Sequence, residues 1–362
     1  VRVVVKLATG LRSRYELLCQ SRPYKWCDAV PPELADETNG GPWSDMVDNE
    51  QIARSKQIQQ QTGKTFHVAT RLLPERVREA TYVLYAFFRV ADEVVDDADG
   101  ASPDEQRAEL ERIRAAALGD RDTDDPVLAA FNELRQRYDL ANGDINTFID
   151  AMVADIDTDR YETYADLEAY MDGSASAVGR MMTAVMDPET PEQALPHATA
   201  LGEAFQLTNF LRDVREDVLE LDRIYLPQST LEANNVTNEQ IKNFQMDANF
   251  AAAMQTELAR AESLYDEGVA GIKFLPDDCQ LAVLLAAVLY IDHHRLIRNR
   301  EYDVLSETPQ LSLRRKLSLL ARTRWQWTWN KDPEAVFRNV TEHNQNGLFT
   351  RGAKLVERLP VR

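Results

Sequence analysis

Cysteine is scarce in this chain. There are three in 362 residues, Cys19, Cys27 and Cys279. So odd and dispersed a set supports neither a disulfide framework nor a zinc-binding spacing, and it suits a reducing, cytoplasmic compartment. Lysine is also thin, nine of 41 basic residues, with none between Lys64 and Lys242. Positive charge as a whole falls short of the 60 acidic residues, leaving a net −19. That balance excludes a bulk electrostatic affinity for nucleic acid. An acid-rich, lysine-poor surface is one that salt screens well, as in proteins of salt-loving organisms; an ordinary acidic cytosolic protein is the plainer reading. Long hydrophobic runs are missing too. The longest in the body of the chain, residues 281–291, is far shorter than the ~20 residues that span a bilayer. Strand-like alternation, hairpin turns and solenoid-period repeats are absent.

What remains reads as helix. Leu72-Leu-Pro74-Glu75 has the proline and following acid of a helix start. The pattern then runs unbroken through Val77, Ala80, Val83, Phe87, Val90 and Val94, too apolar all round for a surface helix. Residues 100–104 close it and cap the next. Pro126, Pro191, Pro227 and Pro276 mark further boundaries. No linker interrupts residues 60–330, so the expectation is one all-α domain over 46–362. Residues 1–45 look foreign to it. The first 27 carry six basic side chains and one acid, Glu16, and a Pro/Gly-rich stretch follows. They read as a disordered or non-native extension ahead of Met46, with a basic targeting arm as the alternative.

Two carboxylate motifs carry the chemistry. The first holds Asp92 and Asp96, the second Asp213 and Asp217. On a helix, residues four apart share a face, so each pair aims two carboxylates at one point. Facing pairs suit a hard divalent cation, and Mg²⁺ held in this way commonly binds substrate phosphate as well. The second motif extends to Gln206 and Asn209, at spacings of 3, 4 and 4, on a helix otherwise apolar. Such a stripe is costly to bury without partners, and a metal cluster supplies them; a solvated face is the plainer alternative. Arg89 lies beside Asp92, either as a structural ion pair or as a bidentate diphosphate clamp. Composition alone makes Tyr82 and Tyr85 core residues.

The run Tyr85-Ala-Phe-Phe-Arg-Val-Ala-Asp-Glu-Val-Val-Asp-Asp resembles the first aspartate-rich motif of the squalene/phytoene synthase family. Leu201-Gly-Glu-Ala-Phe-Gln-Leu-Thr-Asn-Phe-Leu-Arg-Asp-Val-Arg-Glu-Asp, followed by Arg223-Ile-Tyr-Leu-Pro227, resembles the second. Lys64-Thr-Phe66, Asp155 with Arg160-Tyr-Glu-Thr163, and Tyr170 fall in the family's order, so the likeness runs over roughly residues 50–305. The resemblance implies an all-α isoprenoid-synthase bundle around a central cavity. It implies Mg²⁺-dependent, head-to-head joining of two prenyl diphosphates, with Mn²⁺ as a substitute ion. Asp92, Asp96, Asn209, Asp213 and Asp217 would hold metal. Arg89, Arg212, Tyr85, Thr65, Phe66 and Tyr290 would bind substrate. Gln206 would line the reacting zone, and Tyr170 would sit near the cations. Within the family the expected reaction is that of the phytoene synthases, most like those of salt-loving archaea, on two geranylgeranyl diphosphates. Squalene or dehydrosqualene synthesis from two farnesyl diphosphates is the alternative, with NADPH needed only for squalene. A catalytically dead scaffold protein would be expected to lose the metal carboxylates, and this chain keeps them.

Two departures stand out. The family's second aromatic after Tyr170 is replaced by Asp172, among small residues that would let a helix break or pack closely. Arginines common after Tyr302-Asp-Val-Leu are replaced by Ser306-Glu-Thr308. Near the C-terminal end a basic segment holds Arg314, Arg315, Lys316, Arg322 and Arg324 with Trp325, Trp327 and Trp329. Its indoles are expected to pack on the body, with peripheral membrane contact as the other reading.

Overall fold

The computed structural model describes residue 70, residues 72–96 and residues 100–342. The expected extension 1–45, the boundary at Met46, and Lys64, Thr65 and Phe66 lie outside the described residues. Within them the chain is helical. There is no strand among the described residues, only one isolated bridge between Arg160 and Ile224.

The first helix, α1 (Glu75–Asp96), starts where the proline signal places it. It buries Val77, Ala80, Val83, Leu84, Phe87, Phe88 and Ala91. Phe87 stacks on Phe131 at 3.7 Å, and Phe88 meets Phe148 at 5.0 Å. These rings belong to α3 (Pro126–Arg137) and α4 (Asn142–Ala154), and α2 (Pro103–Leu118) completes that wall. The caps are local chemistry. Ser102 and Glu105 form a reciprocal capping box at α2, and Asp125 accepts from two amides ahead of Pro126 in α3.

Next come α5 (Tyr164–Met171), a π-helical turn (Asp172–Ser176) and α6 (Ala177–Met186). The expected break in this small-residue run is a π turn, which keeps the chain helical. Gly173 explains its seat against α4, because a Cβ there would lie 2.3 Å from the Thr147 carbonyl oxygen. On the other side α7 (Pro191–Arg212) packs as closely, since a Cβ on Gly202 would stand 2.7 Å from the Ala175 carbonyl. Only glycine permits backbones this near.

The helix α7 runs through the middle of the molecule. It is flanked by α11 (Ala248–Ala270) and α12 (Asp277–Asn299), after the short α8 (Val214–Leu221), α9 (Gln228–Ala233) and α10 (Asn238–Lys242). By length and composition α12 could cross a membrane, but most of its apolar stretch is buried inside the protein. It is a core helix. Two last helices, α13 (Leu313–Trp329) and α14 (Pro333–Glu342), pack on α12.

Candidate active site

Between α1, the π turn, α6, α7 and α12 lies a cavity. Its walls are almost wholly apolar. From α1 come Thr81, Leu84, Tyr85 and Phe88; from α6, Val178, Met182 and Met186; from α7, Ala198, Leu201 and Phe205; from α12, Ala282, Val283 and Ala286. Thr81, Tyr85 and Phe88 are spaced by four and three residues, and four residues further along the same stripe stands Asp92. On α7 the lining residues Ala198, Leu201 and Phe205 lead likewise to Asn209. The α1 and α7 walls of the apolar cavity therefore run into the two aspartate motifs.

The polar end is deeply buried. Asp213 is 1% exposed, Asp217 and Asn209 2%, Asp92 3% and Gln206 0%. Arg212 forks onto the Asp213 carboxylate, with its Nε and a terminal nitrogen at 2.7 and 2.6 Å. Burial pushes the Arg212 guanidinium down, and Asp213 more than offsets this, so it stays charged. The Tyr290 ring lies tilted against Phe205, centroids 4.6 Å apart, within electrostatic reach of Arg212, Asp213 and Tyr85. Burial holds its phenol above the usual range, so it remains a proton donor. Arg89 donates to Asp92 at 3.2 Å and to Glu93 at 2.8 Å, while Asp96 is exposed at the end of α1.

The side-chain amides of Gln206 and Asn209 are buried without any hydrogen-bond partner, on oxygen and nitrogen alike. Orphaned amides inside a protein are expensive unless a ligand completes them. Among the described residues no three His, Cys, Asp or Glu side chains already gather as a metal cluster. Asp213 is turned to Arg212 instead. The donor set nevertheless suits a hard cation: Asp92, Asp213 and Asp217 offer carboxylate oxygens and Asn209 an amide oxygen, with no sulfur or imidazole ligand required.

The structure modifies the sequence reading in several places. The polar stripe does not run along one continuous helix. Asp213, at φ −101° and ψ 13°, sits at the joint between α7 and α8, though Asp213 N–H still bonds Asn209 O and Asp217 N–H bonds Asp213 O, both at 2.8 Å. Tyr170 does not line the cavity. It stands in an aromatic cluster with Tyr161, Phe210 and Tyr225, and its hydroxyl donates to Asp155 at 2.7 Å. Arg223 donates to the same carboxylate at 3.0 Å and, through its backbone N–H, to the Asp217 carbonyl at 3.1 Å. This cluster thereby ties α4 to the second motif. Asp172, in the place of the missing aromatic, accepts from Arg180 at 2.7 Å.

Sequence reasoning missed two features. Lys316 on α13 is half-buried, its ammonium pushed down by burial and by nearby Arg212. The other is a buried chain beside Asn209. Thr208 bonds Tyr265 and His294, both at 2.9 Å, and Arg298 forks onto Glu262, which also meets His294. Burial holds His294 neutral below the ordinary histidine value of 6.5. In acid the unfolded chain takes up this proton first, so stability falls as pH drops below about 6.5, by up to roughly 1.4 kcal/mol per pH unit for one proton. Thermal melts at pH 7.5 and 5.5 are expected to show a larger acid loss for the natural protein than for His294→Gln; equal losses would refute the assignment.

Comparison with known proteins agrees with this architecture. The squalene/phytoene synthase family pattern matches residues 59–316. The 15-cis-phytoene synthase of Synechococcus elongatus is 32% identical over 283 residues, covering 75% of this chain and 92% of its own. The presqualene diphosphate synthase of Rhodopseudomonas palustris is 40% identical over a shorter 180 residues, 48% of this chain and 62% of its own. Among solved structures, a dehydrosqualene synthase in complex with ligand superposes with a TM-score of 0.72 at 27% identity, over 80% of this chain and 100% of that one. These relatives do not bear out the archaeal, salt-adapted likeness read from charge. The helical bundle is the all-α isoprenoid-synthase fold of prenyltransferases. With the family pattern spanning most of the chain and α1 and α7, which carry the aspartate motifs or lead into them, walling one apolar cavity, the chain belongs to the squalene/phytoene synthase family.

Proposed function

We propose that this chain is a phytoene synthase, joining two geranylgeranyl diphosphates head to head through a cyclopropyl diphosphate intermediate on the way to carotenoids. The observation that carries the reading is an apolar cavity whose α1 and α7 walls lead, along their helix stripes, to buried carboxylates and amides. A prenyl diphosphate has the matching polarity, a charged head on a long hydrocarbon tail. The tail lies along Phe88, Tyr85 and Thr81 on one wall and Phe205, Leu201 and Ala198 on the other. Asp92, Asp96, Asn209, Asp213 and Asp217 would hold Mg²⁺, which when bound would supply positive charge to offset that on a leaving diphosphate. Arg89, Arg212 and the neutral Tyr290 phenol bind diphosphate oxygens. Gln206 orients the reacting ends. Apolar walls exclude the water that would quench an allylic cation, and the faces of Tyr85, Phe88 and Phe205 attract it.

Depth favours the longer substrate. Asp92 to Thr81 spans about 16 Å of helix, and Asn209 to Ala194 about 22 Å, at 1.5 Å per residue. Farnesyl diphosphate is the second reading, supported by the dehydrosqualene synthase superposition. Lipid substrates and product fit a cytoplasmic enzyme in peripheral contact with a membrane.

The test is a product assay with Mg²⁺, each labelled substrate in turn, with and without NADPH. A C40 hydrocarbon from geranylgeranyl diphosphate alone is the expected result. A C30 product from farnesyl diphosphate only would move the activity to the second reading, with NADPH dependence marking squalene. Folded protein that condenses neither would leave a scaffold role.

A further inference from the structure

One face of α13 is apolar, exposed and basic in a chain whose net charge is −19. Leu313, Leu317, Ala321, Trp325 and Trp329 recur every four residues and are all exposed. Leu313 is 71% exposed, Leu317 55%, Trp325 68% and Trp329 75%. The expectation that the indoles pack on the body holds for Trp327 alone, which lies with Leu319 and Thr323 on the buried side. At 100° per residue Arg314 and Arg324 fall within the exposed stripe, and neither makes an ion pair among the described residues. No acid occurs between Glu307 and Asp332, while six basic residues do.

We propose that this face of α13 docks the protein on an anionic lipid surface. Indoles seat at the level of lipid headgroups, leucines reach the acyl boundary, and arginines extend to pair with phosphate. Charge argues against the other occupants. A second copy meeting this face symmetrically would bring Arg314 and Arg324 against their own like charges or bury them unpaired. The terminal segments of the chain are basic as well: residues 1–27 carry six basic side chains against one acid, and residues 343–362 four Lys and Arg against one acid. Neither complements the face. The proposal gives the peripheral contact in the functional reading a definite surface and headgroup charge.

The test uses full-length protein with vesicles of phosphatidylcholine alone or mixed with phosphatidylglycerol. Co-sedimentation with the anionic vesicles, a blue shift of tryptophan emission and weakening by salt are expected. Trp325→Ser with Trp329→Ser should weaken binding at least about tenfold. Arg314→Gln with Arg324→Gln should weaken it roughly fivefold per arginine on anionic vesicles only. Condensation of detergent-dispersed substrate and the helical circular dichroism should be unchanged in both. Absence of vesicle binding by the natural protein, or unchanged binding by the tryptophan variant, would overturn the proposal. So would a fall from dimer to monomer mass in the tryptophan variant, which would assign the face to a second copy. Loss of detergent-phase condensation by the natural protein would instead count against the reaction, leaving the docking result to stand separately.

Discussion

Asp213→Asn is expected to abolish turnover, a fall on the order of a thousandfold or more, equivalent to about 4 kcal/mol of barrier. The side chain is 1% exposed and stands at the joint of α7 and α8, where Asn209, Asp217 and Arg212 converge. An amide keeps the shape but not the charge, so the cation loses a ligand and diphosphate loses the ion that neutralises it. The substitution also leaves the Arg212 guanidinium, 5% exposed, without its anion. Breaking a buried pair by removing one partner costs about 3–5 kcal/mol, and asparagine keeps one neutral acceptor, so the loss should sit at or below the lower end. The variant should stay folded with a lowered melting temperature. Steady-state turnover and a thermal melt on the same sample separate the two effects. Turnover near the natural rate would remove Asp213 from the metal site.

The second large effect is on substrate choice. Ala198 lines the cavity about 16 Å of helix from Asn209, toward the end away from the carboxylates. Ala198→Phe puts a ring where the far end of a long tail would lie. A misfit of a single methylene in an apolar pocket costs about 1–3 kcal/mol, and the ring displaces several carbons. Use of geranylgeranyl diphosphate is expected to fall on the order of a hundredfold or more in kcat/KM, while farnesyl diphosphate is affected far less. The ratio of the two kcat/KM values is the readout, because a general loss of fold lowers both. An unchanged ratio would mean that the tail does not reach Ala198.

Much of this was legible in the sequence because its determinants are local. Pro74, Pro126, Pro191, Pro227 and Pro276 open helices where proline chemistry places them, and Ser102 and Glu105 cap α2 as their spacing implies. The i, i+4 spacing of Asp92/Asp96 and Asp213/Asp217 likewise needed no fold to be read. What escaped depends on neighbours distant in the chain. Tyr170 is engaged by Asp155, and Lys316 approaches Arg212 from a helix a hundred residues away. The His294 chain joins α7, α11 and α12, and no window along the sequence contains all three. The break at Asp213 was invisible for a different reason: its i−4 hydrogen bonds persist on both sides, so the residue pattern stays helical while the Asp213 dihedrals leave the helical range.

The π turn at residues 172–176 has a consequence of phase. A π turn amounts to one residue too many for a regular α-helix, wound in without breaking it. Each residue advances a regular helix by about 100°, but the wider turn absorbs the surplus, so α5 and α6 keep their faces while the numbering slips by one between them. Upstream, Tyr170 points to the Asp155 cluster; downstream, Val178, Met182 and Met186 form the cavity wall. Deleting a single residue from this stretch would let the helix rewind as regular α-helix, with the faces of α5 and α6 little changed but the widened turn gone. The chain would lose one amino acid of 362, and with it the turn that seats Gly173 on α4 and sets the Ala175 carbonyl against Gly202.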